Sequence, residues 1–382
     1  MNSAQVVVPP ATIGMLGGGQ LGRYAVVAAR LMGFRTIVLD PDPLAPAGVV
    51  ADVHLVAPFD DEEATARLAA ECAAVTTEFE NAPAETLERL AAAGVLVAPD
   101  AAAVAACQDR RAEKRFLIGA GVPVGPVAFV DTEADLAAAA TAVGFPAILK
   151  TARLGYDGKG QQTVHSADEL PAAWARLGSV ACVLEQRLAL DVEISVVLAR
   201  SRRGEVAVYP VAENHHVGGI LDTSIVPARV ADALADEARD LATRIADALG
   251  FVGVLAVEMF VVGGRLFVNE LAPRPHNSGH WTLDAAATSQ FEQQVRAVCG
   301  HALGPTTLTA GAAVMLNLLG DRWAGGEPPW HRLVADPAAS LHLYGKQSAR
   351  AGRKMGHVTV TAAGVAQAIE SAARYSELLT TR

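Results

Sequence analysis

Glu258 and Glu270 stand on either side of a Gly263-Gly264 pair in "VEMFVVGGRLFVNELAPRPHNSGHWT". Two carboxylates across a hairpin can hold a cation, and register decides whether they do. A strict two-residue Gly-Gly turn pairs Glu258 with Asn269 and sends Glu270 to the other face, whereas an odd loop Gly263-Gly264-Arg265 sets the glutamates directly opposite. Opposed, they repel by about 4 kcal/mol at about 4 Å and an effective dielectric of about 20, a cost that a cation removes. All-oxygen ligands beside phosphates favour Mg²⁺ or Mn²⁺ over zinc. Downstream, His276 and His280 lie four apart and invite a zinc site. Pro273 and Pro275 argue against the helix that would align them. Held extended, the histidines are about 13 Å apart at about 3.3 Å per residue, too far for one ion. Arg274 between the prolines suits an anion.

A phosphate site is suggested by "AILKTARLGYDGKGQQTV", residues 147–164. Lys150 ends an apolar strand, and Gly155-Tyr156-Asp157-Gly158-Lys159-Gly160-Gln161 follows it. Glycine N–H groups close over phosphates while lysines offset their charge. Further on, Glu185 in "VLEQRL" and Glu193 in "VEISV" end strands where an adenosine's polar groups would need partners. A second glycine motif, "GGGQLG" at 17–22, follows a strand, opens a helix and has Asp40 ending the next strand. That matches the dinucleotide fingerprint, although the same turn serves other ligands, and Gln20 within it offers an amide to a substrate.

The elements that carry these residues have a legible rhythm. Over the first hundred residues, "ATIGMLG", "RTIVLD", "DVHLVA", "AAVTTEF" and "LVAPD" alternate with helices near 20–32 and 62–70, the βαβ pattern of a doubly wound parallel sheet. Next, "ACVLEQRL", "DVEISVVLARS" and "EVAVYPVAE" suggest an antiparallel meander. A helix with Leu234, Leu241, Ile245 and Leu249 on one stripe ends at Gly250. "AAVMLNLLG", "ASLHLYG" and "GHVTVTA" then suggest a small β-rich end domain closed by a helix. We expect mixed α/β and α+β architecture in three domains, 1–106, 107–300 and 301–382.

Composition narrows the class. The 382 residues are 51% hydrophobic, enough for a large core, and the formal net charge is −10, which disfavours nucleic acid and anionic membrane as partners. The exception is the basic cluster "YGKQSARAGRKMGH", which is either a solvated loop or an anion site. Four scattered cysteines without a CxxC pair suggest a reducing cytoplasm, and no apolar run reaches membrane-spanning length.

Lys150, the "GYDGKGQ" loop, "EQRL", Glu193, Glu258 and "NE" at 269–270 together resemble the nucleotide site of the ATP-grasp superfamily. The stretches "GGGQLGR", "EFEN", "CQDR", "ENHHVGGIL", "NELAPRPHNSGHWT" and "GRKMGH" resemble one family within it, a purine-pathway carboxylating ligase. The resemblance runs from about residue 13 to 360. It implies an ATP-grasp fold and a homodimer. The implied reaction joins bicarbonate to the amine of 5-aminoimidazole ribonucleotide, with ATP cleaved to ADP and phosphate through carboxyphosphate. It implies that Arg110, Lys150, the 155–161 loop, Glu185, Gln186, Arg187, Leu188, Glu193, His216, Asn269 and Glu270 bind ATP. Glu258 with Glu270 would hold Mg²⁺ or Mn²⁺, and Arg274, His276 and Lys159 would act on bicarbonate and carboxyphosphate. Gln20, Leu21, Glu78, Lys346 and Arg353 would hold the ribonucleotide. The spacing from Lys346 to Arg350 is one residue longer than that family's, and Ala351 stands where proline is usual, so Arg350 and Lys354 compete for the 5′-phosphate.

Other readings predict different behaviour. A formate-using glycinamide ribonucleotide ligase shares the ATP site and differs at the acceptor. A dinucleotide-dependent oxidoreductase built on "GGGQLG" needs a hydride acceptor site, and an ATP-sensing module needs no catalysis.

Overall fold

A computed structural model describes residues 6–155 and 158–379. The N-terminal βαβ rhythm folds as expected: β1 (Thr12–Leu16), β2 (Arg35–Leu39), β3 (Val53–Leu55), β4 (Ala74–Thr77) and β5 (Leu96–Val97) form a parallel sheet in the order β3-β2-β1-β4-β5. Strand order reverses at β1, so the crevice at its carboxyl end, where "GGGQLG" turns into the helix Gln20–Leu31, is the natural ligand position. Leu16, Leu39, Leu68 and Leu90 pack one face. Met15, Val26, Val38 and Phe291 pack the other.

The next strands divide between two sheets. β6 (Val127–Val130), β7 (Ala147–Thr151), β8 (Gln161–Val164) and β9 (Cys182–Gln186) make a small antiparallel sheet in the order β6-β9-β7-β8. The expected meander is therefore corrected at its first member: β9 pairs with β6 and β7, and only the strands after it join the large sheet. That sheet contains β10 (Val192–Arg200), β11 (Val206–Val208), β12 (Ala212–Val217), β13 (Ile220–Val226), β14 (Gly253–Val262) and β15 (Arg265–Ala272). The β-rich C-terminal region, β16 (Ala312–Leu319), β17 (Ala339–Leu343) and β18 (Lys354–Ala362), extends the same sheet through β13–β16 pairing. Its order is β15-β14-β10-β12-β13-β16-β18-β17, with β11 on β10. The closing helix Val365–Leu378 lays Ala368, Ala372 and Tyr375 against Val314, Val358 and Val360.

The two faces of the central strands differ in chemistry. Ile194, Val196, Leu198, Val257 and Met259 bury one face against Leu241 and Ile245 of the helix Asp232–Ala248, which stops before Gly250 at φ +59°. Leu234 and Leu249 flank that core partly buried. The opposite face carries Val197, Ala199, Val254 and Ala256 under Trp281. Toward its end come residues of the same parity, Glu193, Ser195 and Glu258, so this end of the sheet is polar. Among the described residues no helix is long and apolar enough to cross a membrane, and all four cysteines are free thiols.

Candidate active site

The β14–β15 hairpin turns in two residues, with Val262 opposite Arg265 and with Gly263 and Gly264 at φ +57° and +72°. Positive φ at both positions is the glycine-favoured geometry of a tight hairpin. Regular pairing continues to Met259 opposite Val268, and a bulge then brings Glu258 opposite Glu270. Both alternatives expected from sequence are thereby corrected: the turn is the strict two-residue one, and the glutamates are nevertheless opposed. One extra residue, Asn269, shifts the phase. The apolar pattern carries the same slip, because Leu266, Val268 and Leu271 share one core while Ala272 enters the other.

The bulge is held from a helix that the sequence reading barely used. Lys114, on Arg110–Gly119, donates to the Asn269 carbonyl at 2.7 Å and lies 3.0 Å from Glu185 Oε1. Glu113 accepts the Leu271 N–H at 2.6 Å, and burial pushes its carboxyl up to about 8. Arg110 on the same helix meets Glu270 at 2.9 Å. Lys150 at the end of β7 pairs with the other oxygen of Glu185. Burial alone would raise Glu185, but Lys150 and Lys114 outweigh it and hold the carboxyl well below the usual range. Glu270 is likewise lowered, its desolvation outweighed by Arg110, whereas Glu258 is raised by desolvation and by the charge of Glu270. What faces Glu258 is His276 Nε2 at 3.2 Å. Burial, with Arg274 and Lys354 nearby, pushes that imidazole down to about 3, so it is neutral and adds no positive charge beside Glu258.

Arg110, Glu113, Lys150, Glu258, Asn269, Glu270 and His276 line a cleft of about 370 Å³ together with Gly155, Gly158, Lys159 and Gln161, while Lys114 and Glu185 lie outside the lining. Gly158 and Gly160 have φ +75° and +70°. Tyr156 and Asp157 lie outside the described residues. Glu193 and His216 pair at 2.7 Å across β10 and β12, and this contact raises the His216 pKa despite the opposing effect of burial. Gln186 ends β9 and Arg187 and Leu188 follow it, all outside the lining, with the Arg187 N–H on the Pro146 carbonyl.

Arg274 reaches into the cleft and is gripped by Glu80 of the N-terminal domain. Asn277 also lines the cleft, 5% exposed, with both side-chain polar atoms lacking a protein partner. In sequence it stands in the same polar run as Glu270 and Arg274, which could hold an anion or a cation. At the far wall, Gln20 and Leu21 line the cleft, and Gln20 accepts from Lys346 at 2.8 Å. Lys346 also donates to the Lys354 carbonyl at 2.7 Å. Of the basic cluster, Lys354 lines the cleft, while Arg353 donates to the Ser348 carbonyl at 2.9 Å. Glu78 sits behind the wall, accepting from Gly19 N at 2.6 Å and Gly22 N at 2.9 Å. Asp40 accepts from Gly18 N at 2.6 Å. The N–H groups that a dinucleotide pyrophosphate would need are thus filled by the protein's own carboxylates, which removes the basis of the oxidoreductase alternative.

The two histidines of the opening stretch part company. A 3-10 turn at Asn277–Gly279 follows His276, so the segment does not stay extended. His280, fully buried, stacks on His357, which stacks on His342, each at 4.5 Å. Asp284, His342 and His357 are the one group of three or more metal-ligand-type side chains with mutually close donor atoms among the described residues. Near-parallel rings point their lone pairs side by side rather than at one ion, so this stack is packing.

Three family models match in sequence: a ribonucleotide synthetase preATP-grasp domain at 10–108, an ATP-grasp domain at 115–291 and a phosphoribosylaminoimidazole carboxylase C-terminal domain at 313–371. N5-carboxyaminoimidazole ribonucleotide synthase of Brucella melitensis is 47% identical over 92% of the chain and 96% of its own length. The Bacillus subtilis enzyme is 44% identical over 94% and 93%. An ADP complex of N5-carboxyaminoimidazole ribonucleotide synthetase superposes with TM-score 0.92 at 41% identity, covering 98% of both chains. The Aspergillus clavatus enzyme in complex with ADP and 5-aminoimidazole ribonucleotide gives 0.86 at 32%, covering 97% of this chain and 98% of its own.

Proposed function

The chain belongs to the N5-carboxyaminoimidazole ribonucleotide synthase family of ATP-grasp ligases, and from that premise we infer how its residues divide the work of carboxylating 5-aminoimidazole ribonucleotide with ATP. ATP lies between the small sheet and β14–β15, its adenosine end toward Glu185, residues 186–188, Glu193 and His216. Its phosphates lie under the 155–161 loop, against Lys150, Arg110 and Asn269. Tyr156 and Asp157 complete that loop in sequence. The opposed pair Glu258–Glu270 beside this loop carries the assignment, because it gathers negative charge where a nucleotide would add more.

Mg²⁺ fits there: the donors are all carboxylate oxygens, the two charges repel each other, and the neutral His276 beside Glu258 does not offset them. Held by Glu258 and Glu270, the ion would offset phosphate charge. Bicarbonate sits against Arg274 and His276. One of its oxygens attacks the γ-phosphorus, the bond to ADP breaks, and carboxyphosphate forms. Lys159 and Arg274 stabilise the charge on the transferring group, so the protein supplies position and charge rather than a nucleophile. The amine of the ribonucleotide then takes the activated carbon, releasing phosphate. Gln20 and Leu21 form the wall for that substrate with Glu78 behind them, and Lys346, Arg353 and Lys354 lie toward its 5′-phosphate. Asn277 offers an unpartnered amide to either substrate. The reading implies a cytoplasmic homodimer.

ADP release that requires both 5-aminoimidazole ribonucleotide and bicarbonate is the expected outcome in a coupled assay. ADP formed at the same rate without the ribonucleotide sinks the reading, and formate replacing bicarbonate points to the sister ligase.

A further inference from the structure

Beneath His276 runs a row of small polar side chains to which the proposed chemistry assigns no part. Ser224, Asn214, Ser195 and Ser278 are 0%, 4%, 0% and 0% exposed. Strand pairing builds the row: Ser224 is opposite Asn214, Asn214 is opposite Glu193, and Ser195, two residues along, is opposite Glu258. All therefore share the face that carries the carboxylates. Ser278, in the turn Asn277–Gly279, closes the row. The links are Ser224 Oγ to Asn214 Oδ1 at 2.8 Å and Asn214 Nδ2 to Ser195 Oγ at 2.9 Å. Ser195 Oγ then meets Ser278 Oγ at 2.8 Å, and Ser278 Oγ meets His276 Nδ1 at 2.9 Å.

Asn214 Oδ1 can only accept from Ser224 and Nδ2 can only donate to Ser195, so the choice lies in the two hydroxyl links nearest the ring: both donate toward His276, or both donate away. The second requires a proton on Nδ1. The backbone N–H of Ser278, which can only donate, points at Nδ1 from 3.3 Å and disfavours it, and the Ser278 hydroxyl makes the shorter contact at 2.9 Å. With Nδ1 an acceptor, the ring proton of the neutral imidazole sits on Nε2, facing Glu258 Oε1 at 3.2 Å. Gln290 clamps the backbone beside the ring, accepting the His276 N–H at 2.9 Å and donating to its carbonyl at 2.7 Å.

We propose that Ser278, Ser195, Asn214 and Ser224 are positioning residues, a one-directional hydrogen-bond chain that fixes His276 as its Nε2–H tautomer and so presents the cleft with a donor and not a base. This rests on the assignment of His276 to bicarbonate. The imidazole then offers its Nε2–H, on the Glu258 side of the cleft, to an anionic oxygen of bicarbonate or carboxyphosphate, and the proton shed by the attacking amine goes to the departing phosphate. Hydrogen bonding at one ring nitrogen sets what the other does, and removing such a partner costs about ten-fold or more in activity.

The test reads the tautomer directly, by long-range proton–nitrogen correlation on enzyme labelled with nitrogen-15 histidine, with His276→Gln identifying the signals. An unprotonated Nδ1 and protonated Nε2 in the wild type are expected, and a protonated Nδ1 overturns the proposal whether or not the ligase assignment holds. Ser278→Ala and Ser195→Ala should give mixed tautomers and about ten-fold lower kcat at unchanged KM for ATP, with Ser195→Thr recovering both. Unchanged tautomer and unchanged kcat in both alanine variants overturn the chain's role. If an alanine variant does not fold, the wild-type spectrum and Ser195→Thr still decide.

Discussion

At the scale of single residues, the two cleft carboxylates are chemically unequal although they are paired. Glu270 has Arg110 at 2.9 Å, and Glu258 has a neutral imidazole at 3.2 Å with the charges of His216 and Lys354 acting on it less directly. Substituting either should therefore remove a charge that catalysis uses without leaving a buried cation stranded on the Glu258 side. For Glu258→Gln we expect kcat lower by about 100-fold or more with the fold intact, checked by ADP release and by thermal unfolding. Glu270→Gln should lose as much activity and also loosen Arg110. The types and order of these residues were legible in the sequence, as were Lys150, Glu185 and Glu193. Lys114 was not: "DRRAEKRF" reads as a solvated charge run, and only the fold buries Lys114 to 3% exposure between Asn269 and Glu185. Glu80 was equally silent, because its partner Arg274 lies 194 positions away.

At the scale of elements, the β14–β15 hairpin does the positioning. Its turn demands two residues at positive φ, and its bulge converts a register that would separate the glutamates into one that opposes them. Gly263→Val is expected to destabilise by about 1–2 kcal/mol, because a β-branched residue is strained at φ +57°, with little change in kcat since the turn lies beyond the cleft. Urea unfolding monitored beside turnover checks both halves. The hairpin and its Gly-Gly turn were legible from period-two alternation. The bulge left a trace in the spacing of Leu266, Val268 and Leu271, but choosing it over an odd loop needed the partner strand. The glycine turn after β1 is the reverse case. Its motif was plain, and its occupant was decided by Asp40 and Glu78, which take the N–H groups.

At the scale of the whole molecule, the N-terminal helix, the 280–291 segment and the C-terminal strands meet at a buried aromatic cluster of Tyr24, His280, Phe291, Tyr344 and His357. Burial drives His280 and His357 well below the ordinary imidazole range, and His342 beside them adds to it. Their pKa is lower folded than unfolded, so below about 6.5 the unfolded chain binds protons that the folded one refuses. Stability is full above that pH and falls beneath it, by up to about 1.4 kcal/mol per pH unit for each histidine. We expect the urea midpoint at pH 5.5 to lie below that at pH 7.5, and a stability that does not change between the two removes this account.

By itself the sequence determined what local physics controls. Alternation and helical stripes gave the doubly wound sheet, the hairpin and the closing helix, and glycine-lysine chemistry marked the loop proposed to cover phosphates. Tertiary structure alone decided which sheet received β9, that the C-terminal strands extend the central sheet, and that the histidines of "HNSGH" serve different places. Each of these depends on pairing partners distant in the chain. Hydrophobic period says which face of a strand is buried, and it is silent about the neighbour that buries it.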